Sequence, residues 1–323
     1  MNTPLRVLIT VPFGAHHMQR LQEAAGPHAV LRQTDAPAAS ERMRSLLQDA
    51  DVVIGEPAPE LLAKGTPVRW VQMTWAGTDL YTRGNVPFPS GVLLTNVAGT
   101  AYGHIISQFV LGQALSIAQN FPTYVRQQER HVWQGAGPVM SFEGARVLIF
   151  GAGDLGTCTA KRFSGFDAHC VGVCRDTKTP RPYFQELLTL DEAETYLQTA
   201  DVVINCLPNV DETVRWLDER RLRLVKEGAV LVNVGRGNFI DCMALARVLA
   251  DGHLRGAALD VTEPEPLPTD HPLWDEPRCV ITPHQAGGAF GKSAGTEDRI
   301  CQVCCENLRR FVANEPLTHL VLS

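Results

Sequence analysis

The length, composition and charge of this chain are those of an ordinary globular protein with more than one domain. Its 323 residues are 45% hydrophobic and 20% charged, and a chain of this length exceeds what a single core usually holds. A formal net charge of −6 argues against the basic surface that nucleic acids and anionic membranes require. No stretch approaches the run of about 18 apolar residues that a membrane-spanning helix needs, so we expect neither a nucleic-acid nor a membrane partner.

Short apolar strands alternate with helical segments through the first hundred residues. The pattern starts at MNTPLRVLITVPFG, which predicts a first strand rather than a signal peptide. An amphipathic piece over Glu41–Ala50 is typical of the helices between the strands. The strands predicted in this part are RVLITV (6–11), DVVIG (51–55), RWVQM (69–73) and GVLLTN (91–96).

A second alternating series follows an interruption in the middle of the chain. The interruption predicts one long helix, roughly 101–130, followed by the loop QGAGPV. Apolar strands that alternate with helices indicate parallel sheets covered on both faces. The strands of the second series are RVLIF (146–150), AHCVGVC (168–174), DVVINCL (201–207), AVLVNV (229–234), GAALDV (256–261) and CVIT (279–282).

The end of the chain indicates how the two series are arranged as domains. A final helix, roughly 289–313, and the tail PLTHLVLS come after the last strand of the second series. A chain that leaves the first domain, builds the second and returns through this helix accounts for that order. We therefore predict an α/β protein with two doubly wound parallel sheets. Residues 1–100 and 288–323 form one domain, and residues 101–287 form a nucleotide-binding domain inserted in it.

The nine cysteines are scattered through predicted strands and helices, which predicts free thiols. Cys301, Cys304 and Cys305 have helical spacing, but a structural zinc site needs a second pair of ligands. His319 is the only nearby candidate, so we expect no metal and interpret the three thiols as small buried groups. Free thiols fit a reducing cytoplasm, where we expect the protein to be.

The stretch VLIFGAGDLG carries three glycines in the spacing G-x-G-x-x-G. It follows an apolar strand, opens the helix LGTCTAKRF and precedes a second strand, which is the context that a dinucleotide fingerprint requires. We expect Gly151 to allow the tight turn, Gly153 to let the backbone approach the pyrophosphate and Gly156 to allow close packing of helix on strand. The pyrophosphate would bind at the helix N-terminus, near Asp154 and Leu155. An ordinary strand–helix turn is the alternative.

The end of the second strand of this unit carries no carboxylate. A site that prefers NAD places Asp or Glu there, about 20 residues after the glycines, to accept from the ribose hydroxyls. Here Cys174 stands in that place and Arg175 follows it. A guanidinium suits a 2′-phosphate, and Lys178 and Arg181 can add positive charge, so NADP(H) is predicted with NAD(H) possible. The alternative is a solvated basic turn in which Asp176 serves NAD.

Three further stretches follow the last three strands: NVGRGNFID, ALDVTEPEPLP and ITPHQAGG. Ligands of doubly wound sheets bind beyond the carboxyl ends of the strands. Arg236, Glu265 and His284 are therefore expected to converge on the same edge as the glycine loop. Three such side chains at successive strand ends favour a catalytic site over incidental surface residues.

With these motifs in place, the chain resembles the D-isomer-specific 2-hydroxyacid dehydrogenases over essentially its whole length. The resemblance rests on GAGDLG, the Arg-containing NVGRG, DVTEPEPLP, the histidine of PHQAG and the split substrate domain. It implies a Rossmann domain inserted in a flavodoxin-like substrate-binding (catalytic) domain, and a homodimer. It also implies hydride transfer between NADP(H) and a small 2-keto acid or D-2-hydroxy acid. Arg175 after Cys174 departs from the NAD-using majority, so the chain looks more like the glyoxylate/hydroxypyruvate reductase side of the family.

The resemblance also implies a role for each site residue. His284 is the expected acid that protonates the substrate carbonyl oxygen, and the base in the reverse direction. Glu265 would pair with His284 and fix its orientation. Arg236 would bind the substrate carboxylate and polarise the carbonyl. Asp260 would hold the nicotinamide carboxamide, with a helix or turn cap as the structural alternative.

Several further contacts follow from the same resemblance. In WAGTDL, the backbone N–H groups of Ala76 and Gly77 would hold the other side of the substrate carboxylate. The residues expected to flank the adenosine half of the cofactor are Leu207, Pro208 and Thr213, and those expected to flank the nicotinamide are Val234 and Gly235. The candidates for shaping the substrate pocket are Trp75, Tyr81, Thr100 and Tyr102, with Trp274 either closing it or lying at a subunit contact.

Two other functions remain open from the sequence. One is a reductase of bulkier 2-keto acids that uses NAD(H), which would differ only in the pocket. The other is a nucleotide-sensing, corepressor-like binding protein on the same fold, although the chain lacks the long disordered tail that such a role usually brings. Assays with 2-keto acids separate these functions.

Overall fold

The structure, a computed structural model, describes residues 4–27, 29–63 and 65–323. The chain divides into two compact units. Unit 1 comprises Met1–Tyr102 and Gly288–Ser323, and unit 2 is Gly103–Gly287. Unit 2 therefore begins two residues later than the 101 suggested by the sequence, and it ends at the expected residue.

The strands are short and are distributed over both units. In chain order they are β1 (Leu5–Ile9), β2 (Ala29–Gln33), β3 (Val52–Ile54), β4 (Trp70–Gln72), β5 (Leu93–Thr95), β6 (Arg146–Phe150), β7 (His169–Val173), β8 (Glu186–Leu188), β9 (Val202–Asn205), β10 (Val230–Asn233), β11 (Gly256–Leu259), β12 (Cys279–Ile281) and β13 (Leu320–Leu322).

The helices fill the connections between the strands. In chain order they are α1 (Ala15–Ala25), α2 (Glu41–Leu47), α3 (Pro59–Leu62), α4 (Asp79–Thr82), α5 (Gly103–Ala118), α6 (Phe121–Glu129), α7 (Asp154–Phe163), α8 (Leu190–Tyr196), α9 (Glu219–Leu224), α10 (Cys242–Ala250) and α11 (Ala294–Val312). Within the described ranges, no helix is long and apolar enough to cross a membrane.

Unit 1 is built on one sheet with the strand order β13-β5-β4-β3-β1-β2. Its first five strands are parallel in the flavodoxin-like order 2-1-3-4-5, and β13 joins β5 antiparallel. Successive residues of β1 enter the cores on opposite faces. Val7 and Ile9 pack with α1 and α11, whereas Leu8 packs with α2 and α3. The sheet is thus covered on both sides.

Unit 2 is built on a parallel sheet with the order β12-β11-β10-β9-β6-β7-β8. Numbered from β6, this is 3-2-1-4-5-6-7, the Rossmann order with one added strand. The fully buried strands β9, β10 and β11 explain the continuous apolar runs in the sequence. Phe150 packs with α9 and α10, and Ile149 packs with α5 and α7 on the other face. The predicted fold class is confirmed.

The long helix predicted over 101–130 is wrong. Two helices, α5 and α6, replace it. The break lies at Asn120, which adopts a left-handed conformation with φ of 61°, and at Pro122 in the first turn of α6. Proline lacks the N–H group that an uninterrupted helix would require at this position. Pro122 was therefore a usable stop signal.

Each strand that sequence patterns did not predict lies at or near an edge of a sheet. These strands are β2, β8 and β13. The exposed positions of β2 accommodate Arg32 and Gln33, so its sequence lacks a buried apolar run. The final helix is also shorter than predicted, because Phe290 and Gly291 precede it with φ of 38° and 82°.

The nine cysteines are free. Cys301, Cys304 and Cys305 are buried on α11, where they pack with the apolar side chains between α1 and the sheet. The Sγ atoms of Cys301 and Cys305 are 3.8 Å apart. No group of three metal-ligating side chains occurs among residues 4–27, 29–63 and 65–323.

Candidate active site

The glycine turn between β6 and α7 is a tight connection with an open side. Gly151 has φ of 96°, a conformation that favours glycine, and its N–H donates to the Val173 carbonyl at 2.9 Å. A Cβ on Gly156 would lie 1.8 Å from the Gly151 carbonyl oxygen, so α7 can approach the turn only with glycine there. A Cβ on Gly153 would meet nothing within 4 Å. The turn therefore leaves a cradle beside Gly153 at the N-terminus of α7, where unpaired N–H groups favour an anion.

Asp154 and Leu155 form the first turn of α7. Their backbone N–H groups lie at the helix N-terminus. The Asp154 carboxylate lies close to Gly103, because a Cβ on that glycine would be 2.4 Å from Asp154 Oδ2. The side chain therefore packs toward α5, and the backbone is the part of Asp154 suited to an anion.

The loop after β7 is organised by its own side chains. Asp176 Oδ1 accepts the N–H groups of Lys178 at 3.0 Å and Thr179 at 3.3 Å. These bonds and the Thr179 hydroxyl lower the pKa of Asp176. The Cys174 thiol donates to the Asp176 carbonyl at 3.1 Å. Asp176, the one carboxylate in the sequence over 174–185, is thus already bound to its own loop.

The cations of this loop are differently placed. Arg175 is exposed to solvent. Arg181 is half-buried, and its Nε atom has no hydrogen-bond acceptor among the residues that the structure describes. The loop over 174–185 therefore carries three cationic side chains, Arg175, Lys178 and Arg181, and one carboxylate, Asp176. Its net charge is positive.

Two buried asparagines at strand ends join the next two loops. Asn205 Nδ2 donates to Asn233 Oδ1 at 3.0 Å, and both side chains are 0–1% exposed. Asn205 Oδ1 accepts the N–H of Leu207 at 3.1 Å, whereas Asn233 Oδ1 accepts the N–H of Gly235 at 3.2 Å. Asn233 Nδ2 also donates to the Arg236 carbonyl at 3.1 Å. The pair therefore fixes the backbone on both sides of the predicted nicotinamide position.

The glycine turn and these two loops lie against one another. A Cβ on Gly151 would be 3.2 Å from the Cys206 carbonyl carbon and 3.4 Å from a Leu207 methyl. A Cβ on Gly235 would be 2.5 Å from the Leu207 carbonyl oxygen. Val234 is buried beside Gly235. The structure thus brings together predicted cofactor residues from the loops after β6, β9 and β10, which are neighbouring strands of the sheet.

Pro208 and Thr213 are not among the described residues nearest to a Cβ on Gly151 or Gly235. Pro208 is exposed. Thr213 is buried, and its hydroxyl donates to the Val210 carbonyl at 3.0 Å. The Thr213 hydroxyl thus stabilises its own turn in the described structure.

Arg236 follows β10 and lies next to the turn that carries Glu265. Its Nη1 donates to the Gly235 carbonyl at 2.8 Å, and the side chain is half-buried. A Cβ on the following residue, Gly237, would be 1.9 Å from the Thr262 carbonyl oxygen, so the two loops are in direct contact. Thr262 in turn donates its N–H to Glu265 Oε1 at 3.1 Å.

Asp260 anchors the loop that carries the histidine. Its carboxylate is 3% exposed. Oδ1 accepts the Thr282 hydroxyl at 2.6 Å and the Gln285 N–H at 2.8 Å, and Oδ2 accepts the Ala286 N–H at 2.9 Å. The carboxylate therefore holds both sides of His284. The turn-stabilising role that the sequence left as an alternative is present, and one lone pair of Oδ2 stays available for another donor.

His284 and Glu265 form a hydrogen-bonded pair. His284 Nδ1 lies 3.0 Å from Glu265 Oε2, and the side chains are 55% and 40% exposed. A carboxylate at Nδ1 fixes the proton on that nitrogen, so Nε2 is left as acceptor in the neutral ring and donor in the charged ring. Nε2 has no partner among the described residues. The imidazole can therefore accept or deliver a proton at Nε2.

In unit 1, the loop after β4 presents two backbone donors. The N–H groups of Ala76 and Gly77 have no acceptor within the described part of unit 1, whereas the Ala76 carbonyl accepts from Asn96 Nδ2 at 2.8 Å. The N–H groups of Thr74 and Trp75 are both bound by Glu56. Adjacent free amides of this kind can bind one carboxylate.

The candidate pocket aromatics differ in their exposure. Trp75 is 50% exposed. Tyr81 is 3% exposed and donates its hydroxyl to the Pro57 carbonyl at 2.7 Å, so it supports the loop from inside unit 1. Tyr102 is half-buried and donates to the Thr74 carbonyl at 3.0 Å. Thr100 is half-buried, with its hydroxyl 3.5 Å from His319 Nε2.

Trp274 lies on unit 2, in a groove against α5 and α6. The indole is 47% exposed and its Nε1 donates to the Pro268 carbonyl at 2.8 Å. Phe121 and Val125 of α6 line the same groove and are 55% and 57% exposed. The groove is apolar and open.

Sequence patterns missed three functional side chains, Asn205, Asn233 and Glu56. The two asparagines end otherwise apolar strands, and a polar residue at such a position is a usable signal. Glu56 follows the apolar strand DVVIG in the same way. A buried polar side chain needs partners, and at a strand end the partners are the neighbouring loops.

Comparison with known proteins gives the class to which this arrangement corresponds. The family model described as D-isomer specific 2-hydroxyacid dehydrogenase, NAD binding domain, matches residues 111–286. A curated relative from Arabidopsis thaliana, glyoxylate/hydroxypyruvate reductase HPR3, is 30% identical over 232 residues, which cover 70% of this chain and 68% of that protein.

Solved structures agree with this match over nearly the whole chain. A D-isomer specific 2-hydroxyacid dehydrogenase family protein from Aeromonas salmonicida subsp. salmonicida A449 is 33% identical, with a TM-score of 0.86 and 98% of each chain covered. A D-isomer specific 2-hydroxyacid dehydrogenase from Xanthobacter autotrophicus Py2, solved in complex with NADPH and MES, is 26% identical, with a TM-score of 0.78. This second match covers 99% of this chain and 98% of that one.

Proposed function

Because the chain belongs to the D-isomer specific 2-hydroxyacid dehydrogenase family, we propose that it is an NADPH-dependent reductase of small 2-keto acids. Glyoxylate and hydroxypyruvate are the first substrates to test, since the Arabidopsis relative is named for them. The observation that carries the proposal is the His284–Glu265 pair, 3.0 Å apart, on a turn that contacts the Arg236 loop. A proton donor and an anion-binding guanidinium are the two protein groups that reduction of a 2-keto acid requires.

The glycine turn fits a dinucleotide. The open cradle beside Gly153 and the N–H groups of Asp154 and Leu155 would hold the pyrophosphate. The free lone pair of Asp260 would accept from the nicotinamide carboxamide, and the buried asparagine pair would keep Gly235 in place beside the ring. The cofactor, when bound, supplies the hydride.

We assign Leu207, Pro208 and Thr213 to the adenosine half of the cofactor and Val234 to the nicotinamide half. The direct contacts of Leu207 with the glycine turn and with Gly235 support this assignment. Pro208 and Thr213 continue the same loop, but the Thr213 hydroxyl serves its own turn, so its side-chain methyl is the part left for a cofactor contact.

NADPH is proposed over NADH because of the loop after β7. Asp176 Oδ1 accepts the N–H groups of Lys178 and Thr179, and these bonds hold the carboxylate within its own loop. Arg175 is exposed at the position from which a guanidinium could reach a 2′-phosphate. The Xanthobacter relative, which was solved with NADPH, supports the same choice.

Arg236 would bind the substrate carboxylate and polarise the keto oxygen. The free N–H groups of Ala76 and Gly77 would donate further hydrogen bonds to the substrate carboxylate. The His284 imidazolium would donate its Nε2 proton to the developing alkoxide, while Glu265 keeps the Nδ1 proton and stabilises the charged ring. In the oxidation of a D-2-hydroxy acid, neutral Nε2 would accept the hydroxyl proton.

We further propose a homodimer that forms through unit 2. The apolar groove lined by Phe121, Val125 and Trp274 supports this, because exposed apolar patches mark interaction sites. The free thiols favour a reducing compartment, and we propose the cytoplasm. Sedimentation equilibrium tests the dimer, and a monomer at micromolar concentration would exclude it.

Initial rates with a panel of 2-keto acids test the function. The panel should include glyoxylate, hydroxypyruvate, pyruvate and phenylpyruvate, each assayed with NADPH and with NADH. We expect turnover of the small acids with NADPH. Turnover of phenylpyruvate alone would indicate a bulkier substrate, and NADPH binding without turnover of any acid would indicate a binding protein.

A further inference from the structure

Glu56 holds the loop that presents the free amides of Ala76 and Gly77. It lies two residues after the end of β3, and its Oε1 accepts the N–H groups of Thr74 at 2.6 Å and Trp75 at 3.2 Å. The Thr74 hydroxyl lies 3.0 Å from Oε1 and 3.2 Å from Oε2. The Glu56 carboxylate therefore fixes the backbone amides of Thr74 and Trp75. These two residues directly precede Ala76 and Gly77, whose amides are free.

Other groups hold the carbonyl side of the same loop. The Tyr102 hydroxyl donates to the Thr74 carbonyl at 3.0 Å, and Asn96 Nδ2 donates to the Ala76 carbonyl at 2.8 Å. These bonds act on the carbonyl groups, and Glu56 acts on the amides. Removing Glu56 would leave the Thr74 and Trp75 N–H groups without an acceptor inside the protein, which favours a different loop conformation.

No cation pairs with Glu56 in the described part of unit 1. Burial raises the pKa of Glu56 to about 7, although the bonds from Thr74 and Trp75 oppose the shift. The titratable groups close enough to feel its charge are Tyr81, Tyr102 and Cys304. Burial raises the pKa of each, so all three are neutral near pH 7. An ionised Glu56 is therefore an uncompensated negative charge.

We propose that Glu56 is a positioning residue for the substrate carboxylate, and that its protonated form is the one that favours anion binding at Ala76 and Gly77. The proposal rests on the proposed function, which places the substrate carboxylate at these amides. Both charge states can hold the loop. In the protonated form Oε1 still accepts both amides, and Oε2–H can donate to the Thr74 hydroxyl. Only the ionised form adds a negative charge beside the bound anion.

Amide hydrogen exchange tests the positioning role without any assay of activity. The variants are Glu56→Ala and Glu56→Gln, with Glu60→Ala, at the exposed position of α3, as the matched control. We expect exchange in the peptide that contains Thr74 and Trp75 to be at least about tenfold faster in Glu56→Ala. Glutamine retains the accepting oxygen, so Glu56→Gln should restore protection, and Glu60→Ala should match the wild type. Wild-type exchange in a folded Glu56→Ala protein would overturn the positioning role.

The pH dependence of KM for the keto acid tests the role of the charge. The ratio of KM in the wild type to KM in Glu56→Gln cancels every pH effect that the two proteins share. We expect this ratio to rise by about tenfold between pH 6 and pH 8, because only the wild type gains a charge beside the anion. KM for NADPH should keep a constant ratio.

The outcomes separate this inference from the proposed function. A flat KM ratio with normal turnover would overturn the charge effect and keep the proposed function. Faster exchange in Glu56→Ala combined with no turnover of any 2-keto acid by the wild type would overturn the proposed function and the substrate part of this inference. The loop-fixing role of Glu56 would stand in that case.

Discussion

The backbone N–H of His284 donates to the carbonyl oxygen of Asp260 at 2.9 Å, so the loops after two neighbouring strands are joined at the histidine itself. The Asp260 carboxylate holds the residues on both sides of His284. This support explains how His284 keeps φ of 53°, a conformation that costs a residue other than glycine about 1–3 kcal/mol. The imidazole is therefore held in one position before any substrate binds.

Replacement of His284 should remove the proposed proton donor and leave the fold intact. We expect His284→Ala to lower kcat/KM for the keto acid by about 10²–10⁴-fold, the usual contribution of a positioned acid. The NADPH dissociation constant should change little, because the glycine turn is not altered. His169→Ala, at an exposed position of the same unit, is the matched control. A His284→Ala enzyme that kept more than about a tenth of the activity would contradict the assigned role.

Replacement of Arg175 should change the cofactor preference. The guanidinium is proposed to form charge-assisted bonds with the 2′-phosphate, which are worth about 1.5–3 kcal/mol. We therefore expect Arg175→Ala to lower kcat/KM for NADPH by about 10–100-fold and to leave the value for NADH within about threefold. Arg32→Ala, an exposed arginine of unit 1, controls for the loss of surface charge. Equal losses with both cofactors would contradict the 2′-phosphate contact.

The order and the type of the site residues could be predicted from the sequence because the fold is regular. In a parallel sheet the carboxyl ends of the strands lie at one edge, so residues after successive apolar runs must meet there. Arg236, Glu265 and His284 follow three such runs, and the structure joins their loops through Gly237, Thr262 and the His284–Glu265 bond.

Contacts that depend on side-chain direction could not be predicted in this way. Glu56 reaches Thr74, 18 residues away, and nothing in either stretch specifies that the carboxylate turns toward that loop. The edge strand β2 and the helix break at Asn120 were not predicted from the sequence for a different reason. Edge strands tolerate polar residues, and an asparagine in a left-handed conformation can end a helix within a stretch that otherwise has a helical pattern.

Alanine substitutions of Gly156 and Gly153 in the glycine turn should affect different properties of the protein. A Cβ at Gly156 would lie 1.8 Å from the Gly151 carbonyl oxygen, so Gly156→Ala forces α7 away from the strand. We expect it to lower the free energy of unfolding by at least about 1–3 kcal/mol, the usual cost of overpacking. Gly153→Ala adds a methyl group that meets nothing within 4 Å, so the melting temperature should be unchanged.

The Gly153→Ala methyl group should nevertheless weaken the binding of NADPH, because it enters the cradle proposed for the pyrophosphate. We expect the dissociation constant to rise by about tenfold or more, measured by quenching of tryptophan fluorescence. Each glycine variant is thus the control for the other. Unchanged NADPH affinity in Gly153→Ala would mean that the pyrophosphate does not bind at this turn.

Glu56 should make the stability of the protein depend on pH. Its pKa in the folded protein is about 7, above the ordinary value of 4.5, so the protonated carboxyl is the form that folding favours. The stability it contributes is complete below about pH 4.5 and is lost as the pH rises through 7. Glu56→Gln cannot titrate, so it keeps the neutral state at every pH. Relative to Glu56→Gln, the wild type should lose up to about 3 kcal/mol of unfolding free energy between pH 5 and pH 8.

Urea denaturation of both proteins at several pH values measures this loss. The midpoints should converge toward pH 5 and separate toward pH 8, with the wild type unfolding at the lower urea concentration. Only the wild type carries, at high pH, a half-buried carboxylate with no cation beside it in the described part of unit 1. Glu60→Gln removes an exposed carboxyl from the same part of the chain, and its midpoints should follow the wild type at every pH. If the urea midpoints of the wild type and Glu56→Gln differ by the same amount at every pH, the Glu56 carboxyl keeps an ordinary pKa. Glu56 would then be ionised near pH 7.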